Sequence, residues 1–405
     1  MEKEKVCIMG LGYIGLPTAA LLATKGYKVH GVDVKQEVVT TINKGEIHIV
    51  EPELDAFVKS AVNSGNLKAS LEPAQADIFI ITVPTPIDEK NDPDITFVIE
   101  ATTKIAPYLN EGNIVILEST SPIGTTEKMT DLLKSKGVNT DKLYIAYSPE
   151  RVLPGQTMRE LVENDRIVGG ITKEAALRVM LFYETFVQGE VLITNSRTAE
   201  MSKLTENACR DVNIAFANEL SILCDKFGIN VWELISLANR HPRINILKPG
   251  SGVGGHCIAI DPWFIVAEGK EDAKMIKMAR DINNYKPLWV VEKLEKEIEA
   301  YKIKKGKDPV VACMGLAFKP DIDDLRESPS LEIVNKLISK GLNILVSEPN
   351  VHSHSAFKLT DYKEAISKAD IILFLVAHKE FKEIEMNGNK IVLDICGVRD
   401  KFNKK

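Results

Sequence analysis

Residues 5–33 read KVCIMGLGYIGLPTAALLATKGYKVHGVD. A short apolar run, a glycine turn, a run rich in small and apolar residues and a second short apolar run follow in that order. The pattern predicts strand, tight turn, helix, strand. Gly10, Gly12 and Gly15 form G-x-G-x-x-G. The first permits the turn, the second lets the main chain approach a pyrophosphate, and the third lets helix and strand pack closely. The helix that begins there offers N–H groups and the positive end of its dipole to phosphate, with Tyr13 and Ile14 in the same turn. Asp33 closes the second strand, and a carboxylate there suits a ribose 2′-hydroxyl and repels a 2′-phosphate. The expected cofactor is therefore NAD rather than NADP. A glycine-rich turn that serves packing alone is the competing reading.

Working outward, further strands are expected in ADIFIITVPTP (76–86), NIVILEST (113–120) and KLYIAYSPE (142–150), with helices between them. In an open parallel sheet ligands lie beyond the carboxyl ends of the strands. Thr85, Thr120 and Glu150 stand at those ends, placed to meet cofactor or substrate. Each alone also fits an ordinary cap or turn; their shared location is what singles them out.

The 405 residues are too many for one ordinary core, so two or three domains are expected. With 44% hydrophobic and 27% charged residues the composition is that of a globular protein. The net charge of −6, without blocks of like charge, argues against nucleic acid or a membrane surface as the main ligand. MEKEK runs straight into the first strand, and the longest apolar runs, IFIITV and IILFLVA, are far short of a membrane span. No signal peptide and a cytoplasmic location are the expectation. The cysteines, at 7, 209, 224, 257, 313 and 396, have no metal-ligand spacing, so no metal site is expected. Five of them fall in strand-like or helical runs and read as small buried hydrophobes. Cys257 does not.

From Arg197 to Phe227 the chain lacks proline and glycine and predicts one long helix. Lys203, Asn207 and Arg210 share a stripe on it with Glu200, while most neighbouring positions are apolar. The stripe is either a solvated face or a charged patch buried for a chemical reason in a domain or subunit interface. His241, Arg243 and Lys248 follow in a loop, and then SGVGGHCIAIDPW (251–263). Its glycines let main chain approach a bulky ligand, and Cys257 and Asp261 stand beyond them. A plain connector would need neither. Residues 271–300 look helical and increasingly polar. Near Asp308 the α/β pattern restarts, with strands in PVVACMGLAFKP, LNILVSEP, ADIILFLVAH and KIVLDICGVR and a helix in SPSLEIVNKLISKG. The phosphate fingerprint has decayed there to GLAFK, so this unit should hold a nucleotide differently or not at all. The fold expected is α/β: two Rossmann-like doubly wound domains, at 1–196 and 301–405, joined by a central helical dimerisation segment at 197–300.

GLGYIGLP, VPTP, ESTSPIGTT, SPERVLPG, AExSKLxENxxR, GVGGHCIAIDPWF and GLAFKPDIDDLRESP, in that order, resemble the UDP-glucose/GDP-mannose dehydrogenase family along nearly the whole chain. SPERVLPG, HPRINIL and GHCIAIDPWFI are most similar to the branch that acts on UDP-N-acetyl-D-mannosamine, with the UDP-N-acetylglucosamine branch as nearest cousin. The second glutamate of the UDP-glucose branch is here Pro154, and its role does not carry over. The resemblance implies a four-electron oxidation of the sugar C6 hydroxyl to a carboxylate, with two NAD+ and one water. It makes Cys257 the nucleophile, forming a thiohemiacetal and then a thioester. Lys203 and Asn207 would stabilise the oxyanion or relay protons, and Asp261 would orient the hydrolytic water. It places Glu150, Arg151, Val152, Arg210, His241 and Arg243 on the UDP-sugar, the last from a neighbouring subunit. Lys248, Gly254, Phe318, Lys319 and Arg399 would join them, with Arg326 on the cofactor. The implied partners are a UDP-sugar and a second copy of the chain. A two-electron hydroxyacid-type dehydrogenase, which needs no thiol, and a non-enzymatic NAD sensor, which has no use for the Lys203, Asn207 and Cys257 set, are the competing classes.

Overall fold

The computed structural model describes residues 3–384 and 390–402. The chain divides into two compact units, one running through Thr205 and taking in Trp263–Glu268, the other formed by Glu206–Pro262 and the chain from Gly269 onward.

The first unit is built on an eight-stranded sheet. Its strands are β1 (Lys5–Met9), β2 (Lys28–Val32), β3 (Leu67–Ser70), β4 (Ile78–Ile81), β5 (Ile114–Leu117), β6 (Tyr144–Tyr147), β7 (Arg166–Gly170) and β8 (Val191–Asn195). They lie in the order β3-β2-β1-β4-β5-β6-β7-β8, all parallel except the β6–β7 pair. The order steps outward from β1 in both directions, which puts the topological switch beyond the ends of β1 and β4. After the exposed Lys5, β1 is apolar because both its faces are covered. Val6 and Ile8 enter one core while Cys7 and Met9 enter the other. The helix Gly15–Thr24 is buried from Gly15 to Ala23, which is why its residues are small and apolar all round.

The second unit carries a four-stranded parallel sheet. Its strands, β9 (Val311–Met314), β10 (Ile344–Ser347), β11 (Ile371–Phe374) and β12 (Ile391–Asp394), lie in the order β10-β9-β11-β12. Alternate residues again serve opposite cores, Val311 and Cys313 one, Ala312 and Met314 the other. Burial lifts the Cys7 thiol to about 11 and the Cys313 thiol to about 12, so both stay protonated as the structural reading requires. Cys209 departs from that reading, being exposed, and Cys396 lies two residues past the end of β12.

The expected central helix is present as Ser196–Phe227, and the polar one as Lys274–Lys305. A polar seam is buried where they meet in the second unit. Arg280 Nη1 and Asn283 Nδ2 each donate to Asp211 Oδ1 at 2.7 Å, and Asn218 Nδ2 donates to Asn283 Oδ1 at 2.9 Å. Among the described residues no helix is long and apolar enough to cross a membrane.

Candidate active site

The three glycines of the first turn do three different things. Gly10 has φ +95°, the left-handed region that glycine enters without strain, and its N–H donates to Val32 O at 2.8 Å. A Cβ on Gly15 would fall 1.9 Å from Gly10 O, so the helix start can close on the strand only there. A Cβ on Gly12 would meet nothing within 4 Å. That open side faces away from the protein's own packing, and the first turn of the helix has no side-chain cap. Asp33 accepts Leu11 N at 3.1 Å on one oxygen and Lys35 N at 3.0 Å on the other. It is half-buried, and a carboxylate with four lone-pair sites still has capacity for ribose hydroxyls. These residues fit a dinucleotide. Thr82 completes the turn by donating from Oγ1 to Gly10 O at 2.8 Å, a contact that no motif announced.

Two of the strand-end residues also come together. Thr85 Oγ1 donates to Thr120 O across neighbouring strand ends. Glu150 is joined to residues that pattern reading missed. Its carboxylate takes Arg166 Nη2 at 2.7 Å, and Arg166 Nη1 lies 3.5 Å from the buried Glu118, which accepts Tyr183 OH at 2.6 Å. Burial lifts the Glu118 carboxyl to about 7, with Arg166 offsetting only part of the effect. Burial opposes the Arg166 charge, but Glu150, Tyr183 and Glu118 overcome it and hold the guanidinium above its usual pKa. Two carboxyls around one guanidinium favour keeping one of the acids neutral. Val152 packs partly against the apolar core of the same unit.

On the central helix Glu200 leaves the expected stripe. It is fully buried, and its carboxylate accepts Gly124 N at 2.6 Å and Thr126 N at 2.8 Å, anchoring the start of the helix Thr125–Ser135. Its task is structural. Lys203 is half-buried and Arg210 exposed. Asn207 Nδ2 donates to Asp261 Oδ2 at 2.6 Å. Asp261, 4% exposed, opens the helix Asp261–Gly269, and its N–H donates to Cys257 O at 2.9 Å. Cys257 itself is exposed. The structure thus brings Asn207, Asp261 and the Cys257 turn into one cluster within the second unit.

The glycines before Cys257 also meet a packing demand within the chain. A Cβ on Gly252 would stand 2.9 Å from Pro329 Cβ and 3.2 Å from Pro287 Cγ. On Gly254 it would stand 2.4 Å from Glu327 O and 2.8 Å from Phe318 Cβ. The close approach is to the protein's own side chains as much as to any ligand. Gly250 N is held by Asn218 Oδ1 at 2.9 Å, so the buried seam fixes where this loop begins.

After β9 the GLAFK turn is closed on itself. Glu348 Oε2 accepts Leu316 N at 2.7 Å and Ala317 N at 3.0 Å, and His378 Nε2 lies 3.0 Å from the same oxygen. Asp321 N donates to His378 Nδ1 at 3.0 Å, which places the ring proton on Nε2, facing Glu348. Phe318 is half-buried, while Lys319 and Arg326 are exposed, Arg326 against Asp324 at 2.6 Å. His241 and Arg243 share an exposed loop, with Arg243 N 3.3 Å from His241 Nδ1. Lys248 Nζ lies 3.7 Å from Asp400, and Arg399 is exposed beside it in sequence.

Family profiles match three stretches of the chain: residues 4–187 (UDP-glucose/GDP-mannose dehydrogenase family, NAD binding domain), 197–285 (central domain) and 312–401 (UDP binding domain). The chain is 55% identical over 407 residues to the UDP-N-acetyl-D-mannosamine dehydrogenase of Campylobacter jejuni, covering 96% of this chain and 98% of that protein. It is 49% identical to the NDP-N-acetyl-D-galactosaminuronic acid dehydrogenase of Ralstonia nicotianae, covering 98% and 97%. The solved UDP-D-ManNAc dehydrogenase of Pyrococcus horikoshii superposes with a TM-score of 0.86 at 39% identity, covering 97% of this chain and 96% of that one.

Proposed function

This chain belongs to the UDP-glucose/GDP-mannose dehydrogenase family, and from that premise we propose that it oxidises UDP-N-acetyl-D-mannosamine at C6 to the uronate, using two NAD+ and one water. It is an NAD-dependent nucleotide-sugar dehydrogenase; the particular sugar and the route are the proposal. The observation that carries the route is the Cys257 turn closed onto Asp261, whose carboxylate is tied to Asn207.

When bound, NAD+ supplies the hydride acceptor for each of the two oxidations. After the first, the Cys257 sulfur adds to the C6 aldehyde and forms a C–S bond, which retains an intermediate that would otherwise diffuse away. The second oxidation leaves a thioester. Water attacks its carbonyl carbon, the C–S bond breaks, and the thiol is restored as the carboxylate leaves. Lys203 and Asn207 stabilise the oxyanion, and Asp261, oriented by the Asn207 amide, directs the water.

In this reading 1–196 holds the cofactor, 197–300 is the central segment and 301–405 receives the uridine nucleotide. Glu150, Arg151, Val152, Arg210 and His241 bind the UDP-sugar with Lys248, Gly254, Phe318, Lys319 and Arg399, while Arg326 serves the cofactor. The arginine forks suit diphosphate. Exposed Phe216, Leu223 and Phe227 on the central helix support a homodimer through that segment, with Arg243 given to the partner's substrate.

NADH release tests the reading. UDP-N-acetyl-D-mannosamine should yield two NADH per sugar, and Cys257→Ser should lower net turnover roughly a thousand-fold while leaving NAD+ affinity unchanged. One NADH per sugar, or a fully active Cys257→Ser variant, would overturn the route in favour of a two-electron hydroxyacid-type enzyme. The 49% identical Ralstonia relative favours a second sugar reading, an N-acetylgalactosamine nucleotide. Comparing kcat/KM for the mannosamine, glucosamine and galactosamine nucleotides decides among them.

A further inference from the structure

The SPERVLPG segment, residues 148–155, leaves β6 and leads to the helix Thr157–Glu163. The function proposed above puts Glu150, Arg151 and Val152 on the nucleotide sugar, so the shape of this loop sets the geometry of binding. Every second backbone N–H along it is held by a carboxylate oxygen. Arg151 N donates to Glu150 Oε1 at 2.7 Å and Leu153 N to Glu160 Oε2 at 2.7 Å. Gly155 N donates to Glu51 Oε2 at 2.9 Å, and Thr157 N to Glu51 Oε1 at 2.8 Å.

Two of these four contacts, those of Glu150 and Glu160, are local in sequence. Glu51 is different. It comes from HIVEPELD, more than a hundred residues earlier, and is 6% exposed. A buried carboxylate must find donors, and both oxygens of Glu51 find theirs in this one loop. Gly155 has φ +88°, so the chain reverses at the point that Glu51 grips. At the other end Glu150 Oε2 is paired with Arg166 at 2.7 Å. The loop is therefore tied at both ends by buried charge.

We propose that Glu51 is a positioning residue for the nucleotide-sugar reaction. It touches neither sugar nor cofactor; by fixing residues 155–157 it sets where Glu150, Arg151 and Val152 stand. The inference rests on the reading that SPERVLPG meets the substrate, and the experiment separates the two. Glu51→Gln keeps size and one acceptor but turns an amide NH2 toward a backbone N–H. Glu51→Asp, which keeps the charge but shortens the reach, serves as the second variant.

Steady-state kinetics with UDP-N-acetyl-D-mannosamine and NAD+ are to be combined with hydrogen exchange on the full chain. KM for the sugar should rise about ten-fold in Glu51→Gln, the size expected from losing one charge-assisted hydrogen bond, and KM for NAD+ should change by less than about two-fold. Amides 155 and 157 should exchange faster while those of β6 and β7 keep their protection. An unchanged sugar KM overturns the inference, as does a sugar KM that moves together with the NAD+ KM and with melting of β6 and β7. If the wild type oxidises no nucleotide sugar, the parent reading fails by itself. Exchange then judges the tie, unchanged protection at 155 and 157 overturning it and faster exchange supporting it.

Discussion

The two parallel sheets begin in the same way and part company at one residue. Gly10 and Gly315 both turn left-handed, at φ +95° and +96°, and each donates its N–H at 2.8 Å to the end of the neighbouring strand, Val32 O or Ser347 O. In each unit the next N–H, Leu11 or Leu316, is held by the acid that closes that strand, Asp33 or Glu348. Then the units diverge. Gly12 faces open space, whereas Ala317 is fully buried and its N–H is also taken by Glu348. One more methylene in the acid and one methyl on the backbone convert an open phosphate cradle into a closed turn. Shared topology therefore does not carry a shared ligand; the number of backbone donors left for the ligand does.

Copying the second unit into the first should break the comparison most severely. Gly12→Ala adds a methyl that meets no protein atom, so melting should barely move. NAD+ affinity should nevertheless fall roughly 10- to 100-fold, because the pyrophosphate needs that space. Calorimetric titration with NAD+ checks this, and unchanged affinity would mean that the open side of Gly12 is not the phosphate seat. Acid titration comes next, because Glu118 in the first unit and Glu348 in the second are shifted in opposite directions. Glu118 is lifted by burial to about 7, so the folded chain holds a proton there that the unfolded chain has released. Its contribution to stability is thus lost as pH rises from about 4.5 to 7. For Glu348 burial pushes upward, but hydrogen bonds from His378, Leu316 and Asn350 outweigh it and hold the carboxyl below its usual range. Its contribution is present at neutral pH and is lost as pH falls through that lowered value. Glu118→Gln should therefore gain stability relative to wild type between pH 5 and 8, on the order of 1 kcal/mol or more by thermal melting. A parallel pair of curves would remove the asymmetry. The mildest change is the reverse copy. Ala317→Gly should lower stability by about 0.5–1 kcal/mol and leave NAD+ stoichiometry at one per chain, because Glu348 keeps the N–H groups that a phosphate would need.

What could be read without coordinates was whatever the chain writes locally. The G-x-G-x-x-G turn, Asp33, strands β1, β2, β4, β5 and β6 and the four strands of the second unit declare themselves within a few residues, whereas β3, β7 and β8 do not, and the absence of proline and glycine announces the helix Ser196–Phe227. The Asn207–Asp261 contact was within reach because both residues fall in motifs. Glu51, Glu118 and Arg166 were not, since an acid leaves no periodic mark of which N–H or guanidinium it will meet a hundred residues away. Glu200 shows the same blindness. Its spacing fits a polar stripe, and only the folded chain shows its carboxylate turned inward to the helix that starts at Thr125. Spacing likewise reveals that Gly252 and Gly254 lack side chains, but not that prolines and Phe318 fill the room left for them.

That last feature bears on how molecules enter and leave. A run of glycines ahead of Cys257, the proposed nucleophile, has the composition of a swinging lid. Here it is wedged against the rings of Pro287, Pro329 and Phe318, two of which have almost no torsional freedom. Widening the approach to Cys257 through this stretch would require shifting whole rings along with a helix start, far more than one rotating peptide. The glycine run is thus a fixed wall beside Cys257, and its composition alone does not make it a moving part.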